Sequence, residues 1–368
     1  MEDNKVSIAN PNIGKEEIEG VLNVLKSGMI AQGPKVEEFE KKFASWIGSE
    51  YAIATNSGTS ALHTALLCCG IGKGDEVITS PFTFIASGNS IVYTGGKPIF
   101  ADITLDTYNI DPNQIETLIT DKTKAIMPVH LYGQPAKMDE IKEIADKHDL
   151  YIVEDAAQAH GAKFNNKCVG DIGDLGCFSF YPTKNMTTSE GGIITTNNEE
   201  FYELAKKIRA HGASERYYHD MIGYNYRMTD IAAAIGIAQM DKIEEFNMSR
   251  NKNANYLNDG LKDIEGIKTP FLQENTTHVY HQYTIFIENG KRDEYVEFLN
   301  QNGIGTGIHY PIPLYNQPIY KELEIGGSCK NAEEAASKVI SLPVHPSLSE
   351  NDLNRVIEVV KEASNKFS

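Results

Sequence analysis

No part of the sequence constrains the fold as strongly as three short apolar segments in the middle of the chain. Residues 151–153 are apolar, as is typical of a buried parallel strand, and this strand ends near Asp155. Residues 177–180 predict a second strand that leads into a turn carrying Lys184, and residues 193–196 predict a third. Because functional side chains of such sheets follow the strand ends, Asp155 and Lys184 are the first candidates for a site.

Asp155 and Lys184 together suit the chemistry of pyridoxal phosphate (PLP). This cofactor needs an amine that binds its aldehyde, and an anion that keeps its ring nitrogen protonated so that the ring accepts electrons. Each residue also has an ordinary interpretation, because a lysine in a turn is commonly solvated and an aspartate after a strand is commonly a helix cap. The hypothesis of a PLP site therefore rests on the two residues occurring at the edge of one sheet.

Strands and helices alternate through the first part of the chain. Apolar residues recur at helical spacing in residues 15–26, after Pro34, and in residues 138–147. Further strands are predicted at residues 51–55, 75–79, 97–102 and 125–130. Because crossovers between parallel strands are right-handed, the alternation predicts an α/β fold with a mostly parallel central sheet between two layers of helices.

A change in composition predicts two domains. Polar residues return between Glu245 and Arg250, where a long helix is expected to begin. Beyond it, strands are predicted at residues 278–288 and 305–310, and helices at residues 293–300, 331–340 and 350–367. We therefore predict a large αβα domain at residues 1–245 and a smaller α+β domain at residues 246–368.

Gly58, Thr59 and Ser60 lie between a predicted strand and the apolar helix that follows it. Small residues let the backbone approach an anion closely, and a helix start offers unpaired N–H groups with a partial positive charge. The same junction is common in α/β proteins that bind no ligand. It supports a phosphate site only in combination with other features.

The charge balance excludes some classes of partner. The chain of 368 residues has 34 Lys and Arg against 51 Asp and Glu, a net charge of −17, which argues against binding to nucleic acid or to an anionic membrane. The five cysteines are odd in number and lack the spacing of zinc ligands, so we expect neither a disulfide framework nor a metal site. Residues 1–5 do not resemble a signal sequence and no apolar run has transmembrane length, so a cytoplasmic protein is expected.

Residues 179–185, with the sequence SFYPTKN, and the EGG run at residues 190–192 resemble a motif of the DegT-type nucleotide-sugar aminotransferases. The resemblance extends from about residue 13 to residue 348. It implies the PLP-dependent transferase fold type I and PLP as the cofactor. Tyr181 stands where histidine is frequent in that family, and residues 187–189 replace a more glycine-rich run, which leaves the shape of the substrate pocket open.

The resemblance implies roles for a set of residues. Lys184 would bind the cofactor covalently and, once displaced, act as the base, while Asp155 would hold the proton on the ring nitrogen. Further implied contacts are Gly58, Thr59, Ser60 and Ser179 with the cofactor phosphate, Phe84 with the ring face, and Gln158 with the ring hydroxyl. In the family a loop crosses a dimer interface, so Asn225 would contact the phosphate bound by the other subunit and Arg227 an anionic substrate group.

The sequence of residues 305–314 indicates which kind of substrate is expected. Their glycines and prolines predict a strand with a rigid exit, so that His309 and Tyr310 would point to opposite sides and only one would enter the cleft. The same alternation predicts that Phe82 and Phe84 share one face. The His-Tyr-Pro-x-Pro segment resembles relatives that aminate carbon 3 of a hexose.

The implied function is transfer of an amino group, expected to come from glutamate, to a keto sugar linked to a nucleoside diphosphate, in particular a 3-keto UDP-sugar. The alternatives are a 4-keto nucleotide sugar and a non-catalytic PLP-binding regulator. Lys184 argues against a related sugar dehydratase, which typically has histidine there, and no P-loop or Rossmann glycine fingerprint occurs at a strand-to-helix junction. The expected assembly is a homodimer with shared active sites.

Overall fold

The computed structural model describes residues 5–367, so residues 1–4, where no signal sequence is predicted, and residue 368 lie outside the described residues. The helices are α1 (Lys15–Ser27), α2 (Pro34–Ile47), α3 (Gly58–Cys68), α4 (Ile85–Tyr93), α5 (Pro112–Ile115), α6 (Met138–His148), α7 (Glu199–Arg209), α8 (Asp230–Met240), α9 (Ile243–Leu261), α10 (Arg292–Gln301), α11 (Pro318–Glu322), α12 (Lys330–Lys338) and α13 (Glu350–Phe367). The strands are β1 (Tyr51–Thr55), β2 (Glu76–Thr79), β3 (Lys97–Phe100), β4 (Thr123–Met127), β5 (Tyr151–Asp155), β6 (Lys163–Phe164), β7 (Lys167–Cys168), β8 (Leu175–Ser179), β9 (Gly192–Thr196), β10 (Ala213–Glu215), β11 (Tyr218–His219), β12 (Ile267–Lys268), β13 (Thr276–Thr277), β14 (Tyr283–Ile287) and β15 (Val339–Leu342).

A seven-stranded sheet in the order β1-β9-β8-β5-β4-β2-β3 organises the larger part of the fold. Strand β9 runs antiparallel to both its neighbours, β1 and β8, and the remaining adjacent pairs are parallel. Side chains alternate between the two faces, so Ile193 packs with Phe39 and Phe43 of α2 whereas Ile194 packs with Leu62 and Leu66 of α3. The predicted α/β architecture with a mostly parallel sheet is confirmed.

A second, three-stranded antiparallel sheet has the order β12-β14-β15. The sequence pattern was wrong about β15, because it extended the preceding helix to residue 340. Helix α12 ends at Lys338, and the four residues after it are all buried in the sheet. The first two of those residues, Val339 and Ile340, are β-branched and fit a pleated surface better than a helix.

Residues 305–310 do not form the predicted strand. Among the described residues they pair only at an isolated bridge, where Gly307 lies opposite Ser341. The glycines and prolines of this segment therefore produce irregular backbone and not a strand with a rigid exit.

Helix α9 belongs to two hydrophobic cores. Its first residue, Ile243, belongs to a core beside the larger sheet, while Leu257 and Leu261 are fully buried against the second sheet. The division at residues 245/246 remains a prediction, and it falls inside this helix.

The described residues contain neither a membrane-spanning helix nor a cluster of metal ligands. None of the helices within residues 5–367 is long and apolar enough to cross a membrane. The same residues contain no group of three or more His, Cys, Asp or Glu side chains arranged to hold a metal ion.

Glu154, the residue before Asp155, is fully buried and ties the end of β5 to its surroundings. One carboxylate oxygen accepts hydrogen bonds from Ile172 N and Gly173 N at 2.8 and 2.7 Å, and the other accepts from Gly170 N at 2.8 Å. The second oxygen also accepts from His130 Nε2 at 2.9 Å. Because Ala136 N donates to His130 Nδ1, the imidazole carries its proton on Nε2 and donates it to Glu154.

Two opposing effects act on the pKa of Glu154. Burial alone would favour the neutral acid, but the hydrogen bonds from His130 and the backbone N–H groups outweigh it and lower the pKa. Glu154 is therefore a buried carboxylate with donors on both oxygens.

We expect Glu154→Gln to lower the free energy of unfolding by about 3 kcal/mol, because the amide nitrogen cannot accept from the N–H groups that the carboxylate satisfies. Urea unfolding of the purified variant measures the change. Glu76→Gln is the matched control, because Glu76 also lies on the central sheet but its carboxylate is exposed where it accepts from Thr120 Oγ1. Equal stability of the two variants would contradict the structural role assigned to Glu154.

Candidate active site

A cavity of about 510 Å³ lies at the carboxyl ends of strands β1, β2, β4, β5 and β8. The structure brings most of the predicted site residues together there. The lining includes Gly58, Thr59, Phe84, Asp155, Gln158, Ser179, Lys184, His309 and Tyr310. Of the predicted residues, all of which are described, Ser60, Asn225 and Arg227 lie outside this lining.

Lys184 lies on a loop whose two ends are held together. Strands β8 and β9 form an antiparallel pair in which Ser179 lies opposite Gly192, so the loop between them begins and ends at the same edge of the sheet. Inside the loop, Lys184 N donates to Tyr181 O at 2.8 Å, and Thr188 N donates to Phe180 O at 3.0 Å. These bonds fix the backbone that carries the lysine.

Burial changes the acid–base properties of Lys184. The side chain is partly buried, and desolvation lowers its pKa to about 8, although the nearby Asp155 opposes the shift. At pH 7 about a tenth of its amine is therefore uncharged, a few hundred times more than for an ordinary lysine of pKa about 10.4, and the uncharged amine is the form that a nucleophile or a base requires.

Asp155 is 4% exposed and accepts hydrogen bonds on both oxygens. Ser87 Oγ donates to Oδ2 at 2.7 Å, and Ala157 N donates to Oδ1 at 3.2 Å. Desolvation raises the pKa of Asp155, and these donors, Lys184 and His130 reduce the shift without cancelling it. The carboxylate is thus buried, oriented and close to a basic amine.

The turn before α3 has the features of an anion cradle. Ser57 caps the helix, because its Oγ accepts from Ser60 N at 3.1 Å. A Cβ added to Gly58 would lie 2.7 Å from Ser179 Cβ, so only glycine fits at this start of the helix. The hydroxyl of Ser60 bonds to Asn56 Oδ1 at 2.7 Å and points into the cap itself, and its predicted contact with a phosphate remains a prediction.

Phe82 and Phe84 do not share a face, contrary to the prediction. Phe82 is fully buried in the core, whereas Phe84 lines the cavity and is 56% exposed. The prediction failed because the residues after β2 do not continue the strand: Phe84 is the N-cap of α4.

His309 and Tyr310 both line the cavity, so the expectation that only one would enter it is wrong. Strict alternation did not apply, since this segment is not a strand. His309 Nδ1 lies 2.8 Å from Ser341 Oγ, and burial together with Lys184 lowers the pKa of His309 to about 4. The imidazole therefore enters the cavity uncharged at neutral pH.

Gln158 is oriented from both ends of its amide. Its Oε1 accepts from Tyr132 N at 2.8 Å, and its Nε2 donates to Tyr310 Oη at 3.0 Å. Burial is the main cause of a raised pKa of Tyr310, so its phenol stays protonated.

Some lining residues were not found from the sequence. Thr83, Ser87, His281 and Gln282 also line the cavity. Ser87 lies one helical turn after Phe84, a spacing that could have indicated it. His281 and Gln282 precede β14, far along the chain, and no local pattern connects them to the site.

Arg227 lines a second cavity, of about 260 Å³, together with Asn56 and Glu190. Glu190 lines both cavities, so it separates them. Asn225 lies next to this second cavity, because its backbone carbonyl accepts from Asn56 Nδ2 at 3.3 Å. Arg227 thus lines a cavity other than the one that Lys184 lines.

The residues of the main cavity fit PLP. Gly58 leaves room at a helix N-terminus for a phosphate, Phe84 presents an aromatic ring, and Asp155 and Lys184 supply the anion and the amine. When bound, PLP supplies an electron sink for breaking bonds at an amine-bearing carbon. The fold and the cavity together define a PLP-dependent aminotransferase.

Comparison with known proteins supports the assignment to the aminotransferases. The model of the DegT/DnrJ/EryC1/StrS aminotransferase family matches residues 11–361, and the chain belongs to this family. The fold type and the cofactor predicted from the motif are therefore confirmed.

Three relatives illustrate the functions found among similar sequences. The pleiotropic regulatory protein of Geobacillus stearothermophilus is 42% identical, covering 96% of each chain. The dTDP-3-amino-3,4,6-trideoxy-alpha-D-glucose transaminase of Streptomyces venezuelae is 39% identical, covering 93% of this chain and 90% of the relative. The UDP-2-acetamido-2-deoxy-3-oxo-D-glucuronate aminotransferase of Pseudomonas aeruginosa is also 39% identical, covering 91% and 92%.

Two solved structures resemble the fold closely. Streptomyces venezuelae DesV superimposes with a TM-score of 0.91 at 38% identity, covering 95% of this chain and 94% of DesV. The PLP-form of Spr1654 from Streptococcus pneumoniae, described as a sugar aminotransferase, gives a TM-score of 0.94 at 30% identity and covers 99% and 100%.

We expect Lys184 to be the residue that holds the cofactor, so Lys184→Ala should abolish covalent fixation of PLP by borohydride. In cofactor-free protein, acetylation of Lys184 by a small reagent should rise with pH and level off near 8, because a lysine with lowered pKa is already uncharged above that value. An ordinary lysine, of pKa about 10.4, would keep gaining reactivity. Peptide mass spectrometry measures both quantities. Fixation that survives in the variant would refute the assignment.

Proposed function

We propose that the protein transfers an amino group from glutamate to a 3-keto sugar linked to UDP. The observation that carries this proposal is the neutral His309 beside Lys184 in a cavity shared with Tyr310. The Pseudomonas relative, whose name specifies a 3-oxo UDP-sugar, and the Streptomyces relative, whose name specifies a 3-amino sugar, support it. A 4-keto nucleotide sugar is the alternative substrate.

Lys184 and Asp155 divide the proton transfers between them. With PLP bound, the uncharged Nζ of Lys184 would be the base that moves a proton between the substrate carbon and the cofactor carbon. The carboxylate of Asp155 holds a proton at the ring nitrogen. Since Asp155 is buried, water competes little for the proton that it holds.

His309 and Tyr310 would position the sugar. A neutral imidazole and a phenol both donate and accept hydrogen bonds, as recognition of sugar hydroxyl groups requires. The hydroxyl of Ser341 is hydrogen-bonded to Nδ1 of His309, which fixes the ring. The other ring nitrogen, Nε2, is then left for the substrate.

We expect His309→Ala to raise the Michaelis constant for the keto sugar at least about tenfold, because a hydrogen bond to the substrate is lost. The constant for glutamate should change much less. Steady-state assays with matched 3-keto and 4-keto nucleotide sugars measure this and test the function itself. Turnover of 4-keto sugars with 3-keto sugars inert would reject the proposed substrate, and an equal effect on both constants would reject the role of His309.

A homodimer with shared sites is the proposed assembly. Helix α1 exposes the apolar side chains of Ile18, Leu22 and Leu25, which are about half exposed in the single chain. Arg227 and Asn225 do not line the main cavity of their own chain. A second copy that covers this surface would place both residues toward the other site.

Subunit mixing tests the shared sites. Lys184→Ala and Asn225→Ala homodimers should each lose most activity, and mixing them should restore a fraction, since one site of the heterodimer keeps both residues. Glutamate half-reactions measure the recovery after subunit exchange has been verified by mass. A verified heterodimer without activity would place Asn225 in the site of its own chain.

A regulatory role is a second candidate, because the Geobacillus relative is named as a pleiotropic regulatory protein. The two roles differ in a simple measurement. Conversion of bound PLP by glutamate, followed in the visible spectrum, is required for transamination and not for a purely regulatory protein.

The cytoplasm is the proposed compartment. All five cysteines are free, and Cys68 and Cys69 are adjacent and buried without a bridge. Free thiols are typical of a reducing compartment.

A further inference from the structure

Ser87 lies behind the carboxylate of Asp155, on the first turns of α4. Its Oγ is 2.7 Å from Asp155 Oδ2, and Ser87 is 1% exposed. The two residues are 68 positions apart in the sequence, and the contact exists because β5 ends against the start of α4. Asp155 therefore receives one side-chain donor from a different element of the fold.

The direction of this hydrogen bond follows from its neighbours. Thr83 Oγ1 lies 2.9 Å from Ser87 Oγ, and both hydroxyl groups are buried. An ionised carboxylate only accepts, and a hydroxyl has a single proton to give. Ser87 must then donate to Asp155 and accept from Thr83, which makes a short chain of hydroxyl groups that ends on Oδ2.

We propose that Ser87 is a positioning residue that keeps Asp155 ionised and oriented for the ring nitrogen of PLP. The proposal rests on the proposed role of Asp155. With Oδ2 bound to Ser87, the carboxylate cannot rotate without losing a charge-assisted hydrogen bond. Oδ1, which has only the longer bond from Ala157 N, is the oxygen left for the cofactor.

The other groups around Asp155 do not replace this donor. Lys184 acts on the carboxylate through its charge, and Cys177 and Tyr310 also lie near it. The imidazole of His130 is engaged with Glu154. Burial raises the pKa of Asp155, and the bond from Ser87 is the largest of the effects that oppose this rise.

The consequence for pH dependence has a definite sign. A donor to the charged form lowers the pKa, so removing Ser87 Oγ raises the pKa of Asp155 further. A protonated Asp155 has lost the negative charge that stabilises a protonated ring nitrogen. Loss of the Ser87 hydroxyl should therefore weaken PLP binding at low pH first. The acid limb, meaning the part of the pH profile in which PLP binding is lost on acidification, should move to higher pH.

The experiment compares Ser87→Ala with Ser90→Ala. Ser90 is a matched control, because it is a fully buried serine of the same helix whose Oγ donates to Ser87 O at 2.9 Å and not to Asp155. PLP released from each holoenzyme is measured by equilibrium dialysis across the acid range in which circular dichroism shows folded protein. The visible absorption of bound PLP is titrated over the same range.

We expect the acid limb for Ser87→Ala to lie about one pH unit higher than in the unmodified protein, which makes PLP binding about tenfold weaker on that limb. Ser90→Ala should leave it in place, and Ser87→Thr, which keeps the hydroxyl, should restore it. Thr83→Val should move the acid limb to higher pH by a smaller amount than Ser87→Ala does, because Ser87 still donates its proton to Asp155. A limb for Ser87→Ala that coincides with that of Ser90→Ala would overturn the proposal.

Asp155→Asn separates this proposal from the role on which it rests. If Asp155→Asn loses the acid limb and Ser87→Ala does not shift it, the inference about Ser87 fails while the assignment of Asp155 stands. If Asp155→Asn leaves both the binding and the absorption profiles unchanged, the assignment of Asp155 fails, and the inference fails with it.

Discussion

Burial of carboxylates at the end of β5 is the constraint on which the site depends. An ionised group taken out of water costs several kcal/mol unless hydrogen bonds and opposite charges compensate for it. Glu154 meets this requirement with donors on both oxygens, and its pKa falls. Asp155 meets it only in part, and its pKa rises. Two adjacent residues of one strand thus have different roles. Glu154 is a structural anion whose oxygens are already hydrogen-bonded, whereas Asp155 can accept a further hydrogen bond.

The sheet topology brings the two reactive groups together. Strand β5 lies next to β8, and the loop from β8 to β9 carries Lys184, so Asp155 and the lysine emerge at the same edge. The low dielectric at this edge acts on them in opposite directions: it favours the uncharged amine and disfavours the charged carboxylate. The reversal of β9 is what keeps the lysine loop at this edge of the sheet.

Regular elements could be predicted from the sequence because their signals are local. Strand β1 and helix α13 have the predicted bounds, since apolar periodicity and flanking residues define both. Asp155 and Lys184 could be singled out because strand ends are visible in the sequence, and the cavity contains both.

The parts that could not be predicted depend on contacts between distant segments. The four residues of β15 pair with β14, which is distant in the sequence, and the preceding helical pattern concealed this strand. His309 and Tyr310 enter the cavity together because irregular backbone does not obey the alternation of a strand. His281 and Gln282 reach the cavity through tertiary packing, for which the sequence has no local pattern.

The closed loop that carries Lys184 also bears on how related proteins diverge. Its ends are paired and its backbone is bonded internally, while the side chain of Tyr181 is 49% exposed and lines the cavity. A substitution at such a position changes the lining of the cavity, while the hydrogen-bonded backbone that holds the lysine stays the same. Mutation can therefore exchange one sugar preference for another in small steps, with the shared chemistry intact at every stage.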